Sequence, residues 1–240
     1  MRVLPDFLKR LLPGGSQRPG GDSWPEALRE YTASRTKLPK STALKDVRFV
    51  VFDSETTGLD LATNRLLSIA GVAMRGPEVQ LGDTFEAMVH QPHVGGADAA
   101  VIHGLVSKDV ADGLPEGEAA ARFLAYCGDA VLVAHHAAFD MHMLKKAIAA
   151  YRGAKVRNPA VDTAQLAKRV ENGPMTPSQA RGADQRKAYQ LDSLVRRYGI
   201  EVPERHTAAG DALATALLFQ ILLRKAERRG IRTLGDLLAR

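Results

Sequence analysis

Cysteine is nearly absent from this sequence of 240 residues, and its single example, Cys127, excludes a disulfide within the chain. Cys127 lies in the apolar stretch AARFLAYCGDAVLVA, where we expect a buried small side chain rather than a reactive thiol. Long apolar runs are also absent, since no stretch approaches the roughly eighteen residues of a membrane-spanning helix. The N-terminal MRVLPDFLKRLLPGG has charges and prolines where a signal peptide is apolar. We therefore expect a cytoplasmic globular protein with no membrane partner.

Charge is unevenly distributed along the chain, although the formal net charge is only +6. Residues 1–45 contain nine Lys or Arg and four Asp or Glu, residues 46–140 contain five and fourteen, and residues 141–240 contain nineteen and nine. The three segments therefore carry +5, −9 and +10. An acidic segment between basic ones suits a polyanionic substrate held against a cation-loaded site. Ordinary solvated surface charge would explain many of these residues individually.

The composition divides the chain into an N-terminal extension, residues 1–45, and a main domain, residues 46–240. The extension contains a Gly- and Pro-rich linker, PGGSQRPGGDS, and short helical stretches. In the second stretch Ser23 can cap a helix, and Trp24, Leu28 and Tyr31 share one face. We expect that face to dock on the main domain.

From residue 46 the periodicity changes to that of β-strands, followed by alternating helices and strands. Strands are predicted at 47–53, 66–74 and 79–89 with a tight turn at RGP (75–77), then at 130–135 and ending near Val161. Helices are predicted near 98–111, 116–127, 138–152, 163–170, 188–198, 207–229 and 233–239. An antiparallel meander followed by alternating helices and strands predicts an α/β fold with a mixed central β-sheet flanked by α-helices.

Four carboxylates lie at the ends of these predicted elements. Asp53 and Glu55 project to the same side of the first strand, Asp140 lies just inside a helix, and Asp211 begins the long C-terminal helix. Converging carboxylates repel one another unless cations lie between them. Two Mg²⁺ or Mn²⁺ ions roughly 3.5–4 Å apart would neutralise them and clamp a phosphodiester, one activating a water and the other stabilising the leaving oxygen. The alternative for Asp53 and Glu55 alone is an ordinary solvated strand end.

His206 precedes Asp211 by five residues and is the candidate general base. A water that attacks phosphorus must lose a proton, and histidine is the usual acceptor near neutral pH. From its position His206 can reach past Asp211 towards that water. An isolated histidine at such a position would more simply be an exposed loop residue.

Five segments resemble the DEDD exonuclease superfamily, histidine branch, in their order and approximate spacing. They are FDSETTGLD (52–60), VIHGL (101–105), AHHAAFD (134–140), VDTAQLA (161–167) and HTAAGDA (206–212). Within this superfamily the chain resembles the proofreading epsilon subunits of bacterial DNA polymerase III. The resemblance implies a ribonuclease H-like fold and 3′→5′ hydrolysis of single-stranded or mismatched DNA ends to nucleoside monophosphates.

The resemblance implies that residues 46–240 form an exonuclease domain. It also implies roles for individual residues. Two Mg²⁺ or Mn²⁺ ions would be held by four carboxylates, with His206 as the base; the ligands are Asp53, Glu55, Asp140 and Asp211. A second set would hold the terminal nucleotide of a single-stranded 3′ end, and consists of Thr56, Thr57, Gly58, Leu59, His103 and Phe139. Turn chemistry, core packing and helix capping are the structural alternatives for this second set.

Several alternatives remain open at the level of sequence. His136 stands where the epsilon pattern usually has Asn, and Asp162 fits a structural role, or a supporting role behind the metal ligands, better than metal ligation. RNA-processing exonucleases of the same branch would keep the chemistry and change the sugar. A retired nucleic-acid-binding module is disfavoured because all five catalytic positions are filled. A DNA polymerase is a candidate partner, whereas the chain ending soon after its last predicted helix favours a stand-alone nuclease.

Overall fold

The structure is a computed structural model that describes residues 24–33, 37–94, 110–172 and 187–239. In these ranges five strands form one mixed sheet. The strands are β1 (Arg48–Thr56), β2 (Leu66–Arg75), β3 (Glu78–Met88), β4 (Val131–Ala134) and β5 (Ala160–Asp162). Their order is β3-β2-β1-β4-β5. β1, β2 and β3 pair antiparallel, and β1, β4 and β5 pair parallel. The predicted meander and mixed sheet are confirmed.

The tight turn predicted at residues 75–77 joins β2 to β3. Gly76 has a φ of +53°, a conformation that glycine adopts without steric cost. A Cβ at this position would also lie 2.6 Å from the Cα of Lys45. Glycine therefore fits both the turn and the close approach of the neighbouring chain.

The alternating side chains of β1 contribute to two separate cores, one on each face of the sheet. Val50 and Phe52 pack in the core on the first face. Phe49 and Val51 pack in the core on the second face. The strand is buried on both faces, as is typical of a central strand in an α/β sheet.

Helices cover both faces. They are α1 (Glu26–Ala33), α2 (Glu116–Cys127), α3 (Ala138–Ile148), α4 (Thr163–Asn172), α5 (Leu191–Tyr198), α6 (Ala208–Arg228) and α7 (Leu234–Leu238). Buried residues of α1, α2 and α3 belong to the first core, and those of α4 to α7 belong to the second. Cys127 is buried at the end of α2, as expected.

The predicted docking face of the N-terminal stretch is confirmed. Trp24, Leu28 and Tyr31 are all buried in the first core. The Tyr31 hydroxyl donates to Asn158 Oδ1 at 2.7 Å and accepts the Arg157 backbone N–H at 2.8 Å. Residues 24–33 are therefore packed and hydrogen-bonded to the main domain, while the predicted boundary at residue 46 stays a prediction.

Some predicted boundaries differ from the observed ones. β1 continues to Thr56 rather than ending at Asp53, because its pairing with β2 extends that far. The helix predicted over 138–152 ends at Ile148, and the turn that follows contains Gly153 with a φ of +86°. The helix predicted from 188 begins at Leu191, because Gln190 is extended (φ −70°, ψ 152°).

The helix predicted near 98–111 falls mostly on residues 95–109, which lie outside the described ranges, as does the capping residue Ser23. Among the helices of the described ranges, none has the length and apolarity needed to span a membrane.

Candidate active site

The C-terminal ends of the parallel strands lie at one edge of the sheet, and the candidate carboxylates lie there too. Val51 of β1 is in register with Val133 of β4, so the end of β1 lies beside the chain that leads into α3. Asp53 and Glu55 lie within the paired part of β1, which fixes their direction more firmly than a loop would. Active sites of open α/β sheets typically form at this edge.

Asp53, Glu55 and Asp211 form an acidic cluster, in which one carboxylate oxygen from each residue lies within 4.8 Å of the other two. The two strand residues continue the alternation of Phe49 and Val51 and so point to the face covered by α6. Asp211 lies in the first turn of α6, where backbone N–H groups favour negative charge. Hard carboxylate oxygens at this spacing fit a divalent cation such as Mg²⁺ or Mn²⁺.

Asp140 is buried in the first turn of α3. It lies outside the group of three, but its charge acts on both Asp53 and Glu55. The Ser54 hydroxyl donates to Asp140 Oδ1 at 2.6 Å. Ser54 faces away from Asp53 and Glu55, as the strand alternation predicts. No motif in the sequence indicates a function for Ser54. Because the bond joins residues 86 positions apart, only the tertiary structure could reveal it.

Burial and mutual repulsion raise the pKa values of these carboxylates. Burial raises the pKa of Asp53 well above its ordinary value, and the neighbouring carboxylates raise it further. Burial likewise raises the pKa of Glu55 to about 7, with contributions from the charges of Asp211 and Asp140. The pKa of Asp140 rises to about 7 through burial, against the opposing effect of the bond from Ser54. A bound cation would offset these unfavourable charges, so the donor set fits a divalent metal.

Arg205 places a positive charge beside Asp211. Its Nη1 lies 3.0 Å from Asp211 Oδ1, and its Nη2 pairs with Asp192 of α5. Burial raises the pKa of Asp211, whereas the Arg205 guanidinium and the backbone N–H of His206 act in the opposite direction. Arg205 is not predictable from the sequence, because an arginine beside a histidine in a loop carries no distinctive signal.

The segment between α5 and α6 folds tightly over the first turn of α6. Glu204 and His206 both have left-handed backbones, with φ values of +55° and +65°. Thr207 caps α6 by accepting the Gly210 N–H at 3.0 Å, and its hydroxyl donates to the Glu204 carbonyl at 2.7 Å. A Cβ at Gly210 would lie 2.0 Å from that carbonyl oxygen, so this approach requires glycine.

His206 lies beside the acidic cluster, with its side chain exposed. Its backbone N–H donates to Asp211 Oδ1 at 3.2 Å. This bond fixes the main chain of His206 next to a candidate metal ligand. An exposed imidazole at this place can exchange protons with solvent.

The predicted nucleotide-binding segment forms the connection from β1 to β2. Thr56 is buried, and its hydroxyl donates to the Gly58 carbonyl at 2.7 Å. The Thr57 hydroxyl donates to Asn64 Oδ1 at 3.2 Å, and a Cβ at Gly58 would lie 2.7 Å from Asn64 Nδ2. Leu59 is 84% exposed. The segment is thus internally hydrogen-bonded and presents one apolar side chain to solvent.

Of the other two predicted nucleotide-binding residues, Phe139 lies in the described part of the chain and His103 does not. Phe139 is half-buried in the first turn of α3 and packs against the first core. Its remaining exposed surface lies one residue before Asp140. His103 and the rest of the VIHGL segment fall in the part of the chain that the structure does not describe.

The two histidines of AHHAAFD have different roles. His135 is buried, with Nε2 3.0 Å from the Tyr189 carbonyl and Nδ1 2.8 Å from Thr163 Oγ1. Burial lowers the pKa of His135 to about 4, so the ring is neutral, Nε2 donates and Nδ1 accepts. His136 has a φ of +56°, a conformation in which Asn, Asp and His are the enriched residues other than glycine. Backbone conformation therefore explains why His can stand where Asn is usual.

Asp162 has the structural role predicted for it. Its Oδ1 accepts the backbone N–H of Ala164 at 2.8 Å and of Gln165 at 3.3 Å. These bonds satisfy free N–H groups in the first turn of α4.

The sequence is similar to exonuclease and DNA polymerase III sequences. The profile of the RNase_T exonuclease family matches residues 50–219. The chain is 34% identical over 200 residues to a DNA polymerase III subunit epsilon-like protein of Rhodobacter capsulatus, across 82% of this chain and 27% of the relative. It is 32% identical over 185 residues to a PolC-type DNA polymerase III of Listeria monocytogenes, across 77% of this chain and 12% of the relative. The chain thus spans about a quarter or less of these relatives.

The fold is similar to that of solved exonucleases. Exonuclease I of E. coli in complex with a dT13 oligonucleotide has a TM-score of 0.61 and 17% identity, over 77% of this chain and 43% of that chain. Exonuclease X in complex with 5′ overhanging duplex DNA has a TM-score of 0.56 and 21% identity, over 80% of this chain and 99% of that chain. These likenesses concern the fold, which is ribonuclease H-like.

A mixed sheet with carboxylates gathered at one edge defines the class of protein, an α/β protein of ribonuclease H-like fold with an acidic cluster. Because the exonuclease profile covers more than half of the sequence, the chain belongs to the exonuclease family of the DEDD superfamily. The predicted family and fold are confirmed, and the roles of the individual site residues stay predictions.

Proposed function

We propose that this protein is a divalent-metal-dependent 3′→5′ exonuclease that releases nucleoside monophosphates from single-stranded or mismatched 3′ ends of DNA. The observation that carries the proposal is the cluster of Asp53, Glu55 and Asp211, whose oxygens lie within 4.8 Å of one another in an exonuclease-family chain. Asp140 lies buried beside them and completes the proposed ligand set.

These four carboxylates would hold two Mg²⁺ or Mn²⁺ ions, which supply positive charge for the phosphodiester and favour deprotonation of the attacking water. Each residue contributes what its position allows. β1 orients Asp53 and Glu55, the first turn of α6 orients Asp211, and Ser54 holds one oxygen of Asp140.

His206 is the proposed general base. It follows Arg205, which is ion-paired with Asp192 and Asp211, and its backbone N–H donates to Asp211 Oδ1, so its main chain is fixed beside the cluster. Its exposed imidazole can accept the proton of the attacking water and pass it to solvent. A positioned base of this kind contributes about 10²–10⁴-fold to turnover.

The proposed 3′ polarity is supported by the segment from Thr56 to Leu59. An apolar side chain that is 84% exposed, on an internally bonded loop beside the acidic cluster, can lie against the terminal base. Phe139 offers partly exposed apolar surface next to Asp140. Because such a pocket accepts a single unpaired nucleotide, frayed or mismatched ends are favoured over paired ones.

The preference for DNA and the polymerase partner are supported by the relatives' names. Relatives at 34% and 32% identity are named DNA polymerase III proteins, and the Exonuclease I structure contains a DNA oligonucleotide. A DNA polymerase is accordingly the proposed partner. RNA of the same sequence provides the matched alternative substrate, because it differs by the 2′-OH at each position.

The proposal is tested with three substrates of one sequence: a linear DNA strand, the same strand closed into a circle, and a linear RNA strand. With Mg²⁺ or Mn²⁺ we expect the linear DNA to shorten from its 3′ end and the circle to stay intact. Chelation of the metal should stop the reaction. Asp53→Asn should fold normally, as judged by circular dichroism, and be inactive.

Nicking of circles as fast as linear strands are shortened would show an endonuclease and remove the terminal-nucleotide pocket. Faster shortening of the RNA strand would transfer the proposal to RNA processing. Full activity in excess chelator would exclude the metal-dependent mechanism.

A further inference from the structure

Lys146 of α3 binds three backbone carbonyl groups of the loop between β1 and β2. Its Nζ donates to the oxygens of Leu61 at 3.1 Å, Ala62 at 2.7 Å and Asn64 at 2.7 Å. An ammonium group has three donors, so this loop uses all of them. Lys146 itself is half-buried.

The same loop is closed by bonds of its own. Asp60 Oδ1 accepts the backbone N–H groups of Ala62 at 2.7 Å and Thr63 at 3.2 Å, and these bonds hold the pKa of Asp60 below its ordinary value. At the neck of the loop, Thr57 N–H donates to the Arg65 carbonyl at 2.9 Å. The Arg65 N–H donates back to the Thr57 hydroxyl at 3.0 Å. We call residues 57–65 the platform loop.

The platform loop is attached to both elements that carry the candidate metal ligands on this side of the site. It continues directly from β1, which carries Asp53 and Glu55. Through Lys146 it is also bound to α3, which carries Asp140 in its first turn. Six residues separate Asp140 from Lys146, or roughly 9 Å along a helix, so one rigid element sets the distance from that carboxylate to the loop.

We propose that Lys146 is a positioning residue for the exonuclease reaction. By binding three carbonyls of the platform loop, it holds Leu59 in a fixed place relative to Asp53 and Asp140, so that the terminal nucleotide meets Leu59 with its phosphodiester at the carboxylates. The inference rests on the proposed function and deepens it. According to this inference, Lys146 sets the distance between the place of the terminal base and the place of the phosphodiester bond that is cut.

The chain offers a matched control in the neighbouring residue Lys145. It lies on the same helix, is exposed, and its side chain has no hydrogen bond or ion pair with any described residue. Lys145→Met therefore removes the same charge from nearly the same place without touching the platform loop. A difference in activity between Lys146→Met and Lys145→Met therefore reflects the loss of the three hydrogen bonds to carbonyl groups rather than the loss of a positive charge.

The test measures kcat/KM on a linear single-stranded DNA 3′ end for Lys146→Met, Lys145→Met, Leu59→Ala and the double variant Lys146→Met/Leu59→Ala. We expect Lys146→Met to lose about 10–10²-fold, as misplacement by about 1 Å does, and Lys145→Met to stay within about twofold of the wild type. If Lys146 acts through Leu59, the double variant should be no slower than the slower single variant. A merely structural role would instead give losses that multiply.

Lys146→Arg keeps the experiment decisive if Lys146→Met unfolds. Arginine keeps the charge, but its planar fork cannot reproduce three donors radiating from one atom, so the loss and its coupling to Leu59 should persist in a folded protein. Equal kcat/KM for Lys146→Met and Lys145→Met, or independent effects of Lys146 and Leu59, would overturn the inference while leaving the proposed function intact. A wild-type protein that fails to shorten the linear strand would overturn both.

Discussion

His136 adopts a left-handed backbone conformation, with a φ of +56°, between β4 and α3. Its side chain is exposed, and its ring contacts the neighbouring His135 edge to face at 4.5 Å between centroids. In this region of backbone space the Cβ crowds the following carbonyl group, which costs most residues about 1–2 kcal/mol. Position 136 therefore favours residues that tolerate a positive φ. Asn is one of several residues that do so.

We expect His136→Asn to unfold at the same denaturant concentration as the wild type or a higher one, and to keep its nuclease activity. His136→Val should lower the free energy of unfolding by about 1–2 kcal/mol, because a β-branched residue tolerates positive φ poorly. Chemical denaturation measures both.

His142→Val is the control for these variants, since His142 is exposed within α3 and the two residues have similar helix propensities. A loss of stability in His142→Val as large as that in His136→Val would contradict the conformational explanation. A loss of activity in His136→Asn would point to a direct role of the imidazole.

The first turn of α6 and the loop before it form one packed unit that holds His206 and Asp211. The Glu204 carbonyl occupies the space where any residue other than glycine at position 210 would place its Cβ. The Thr207 hydroxyl donates a hydrogen bond to the same carbonyl. The proposed base is therefore placed by the main chain of the element, and Gly210 sets how closely the loop approaches the helix.

We expect Gly210→Ala to displace this loop and to lower turnover by about 10²-fold, the scale of loss that follows a shift of about 1 Å in catalytic groups. His206→Ala should lower turnover by about 10²–10⁴-fold. If Gly210 acts by placing His206, the variant with both changes should be about as slow as His206→Ala alone. Single-turnover measurements at saturating metal compare the three.

Gly82→Ala provides the control, because a Cβ at Gly82 meets nothing within 4 Å of the described structure. It should retain wild-type turnover. An active Gly210→Ala protein would show that the loop adjusts without displacing His206.

Without metal, the whole molecule carries a group of partly or fully buried carboxylates, which makes its stability depend on pH. Burial and neighbouring charges raise the pKa of Glu55 from 4.5 to about 7 and that of Asp140 from 3.8 to about 7. At a pH between the ordinary and the raised pKa values, the folded protein keeps these carboxyl groups protonated, whereas the unfolded chain releases the protons. The free energy of unfolding should therefore fall as pH rises from about 4 to about 7 and level off above that range. The fall should be on the order of 1.4 kcal/mol for each unit of pKa shift.

Added Mg²⁺ or Mn²⁺ should reverse this loss, because bound cations favour the ionised carboxylates. We expect the metal to raise Tm clearly at pH 8 and much less at pH 5, where protons occupy the same groups. Glu55→Gln should weaken both the pH dependence and the metal effect. Glu86→Gln, an exposed change on β3, should leave both as in the wild type. Stability that rises with pH in the absence of metal would contradict this account.

The sequence by itself determined the order and type of the elements and the positions of the candidate carboxylates. Strand periodicity at residues 47–53 and the D-x-E pattern showed that Asp53 and Glu55 share a face, because alternation is a local property of a strand. The docking face of the N-terminal helix followed from helical spacing in the same way. Residues whose roles arise within a few positions of chain, such as Asp162 and its two amide partners, could be assigned without the fold.

The tertiary structure alone decided which distant groups complete the site. Ser54 meets Asp140 across 86 residues, and Lys146 meets the platform loop across 82 to 85 residues. Such contacts depend on how strands and helices pack, and no periodic pattern in the sequence encodes them. Arg205 and Gly210 likewise owe their roles to a loop whose left-handed residues bring it against α6. Local preferences specified the parts of the site, and packing of elements far apart in the chain specified how those parts meet.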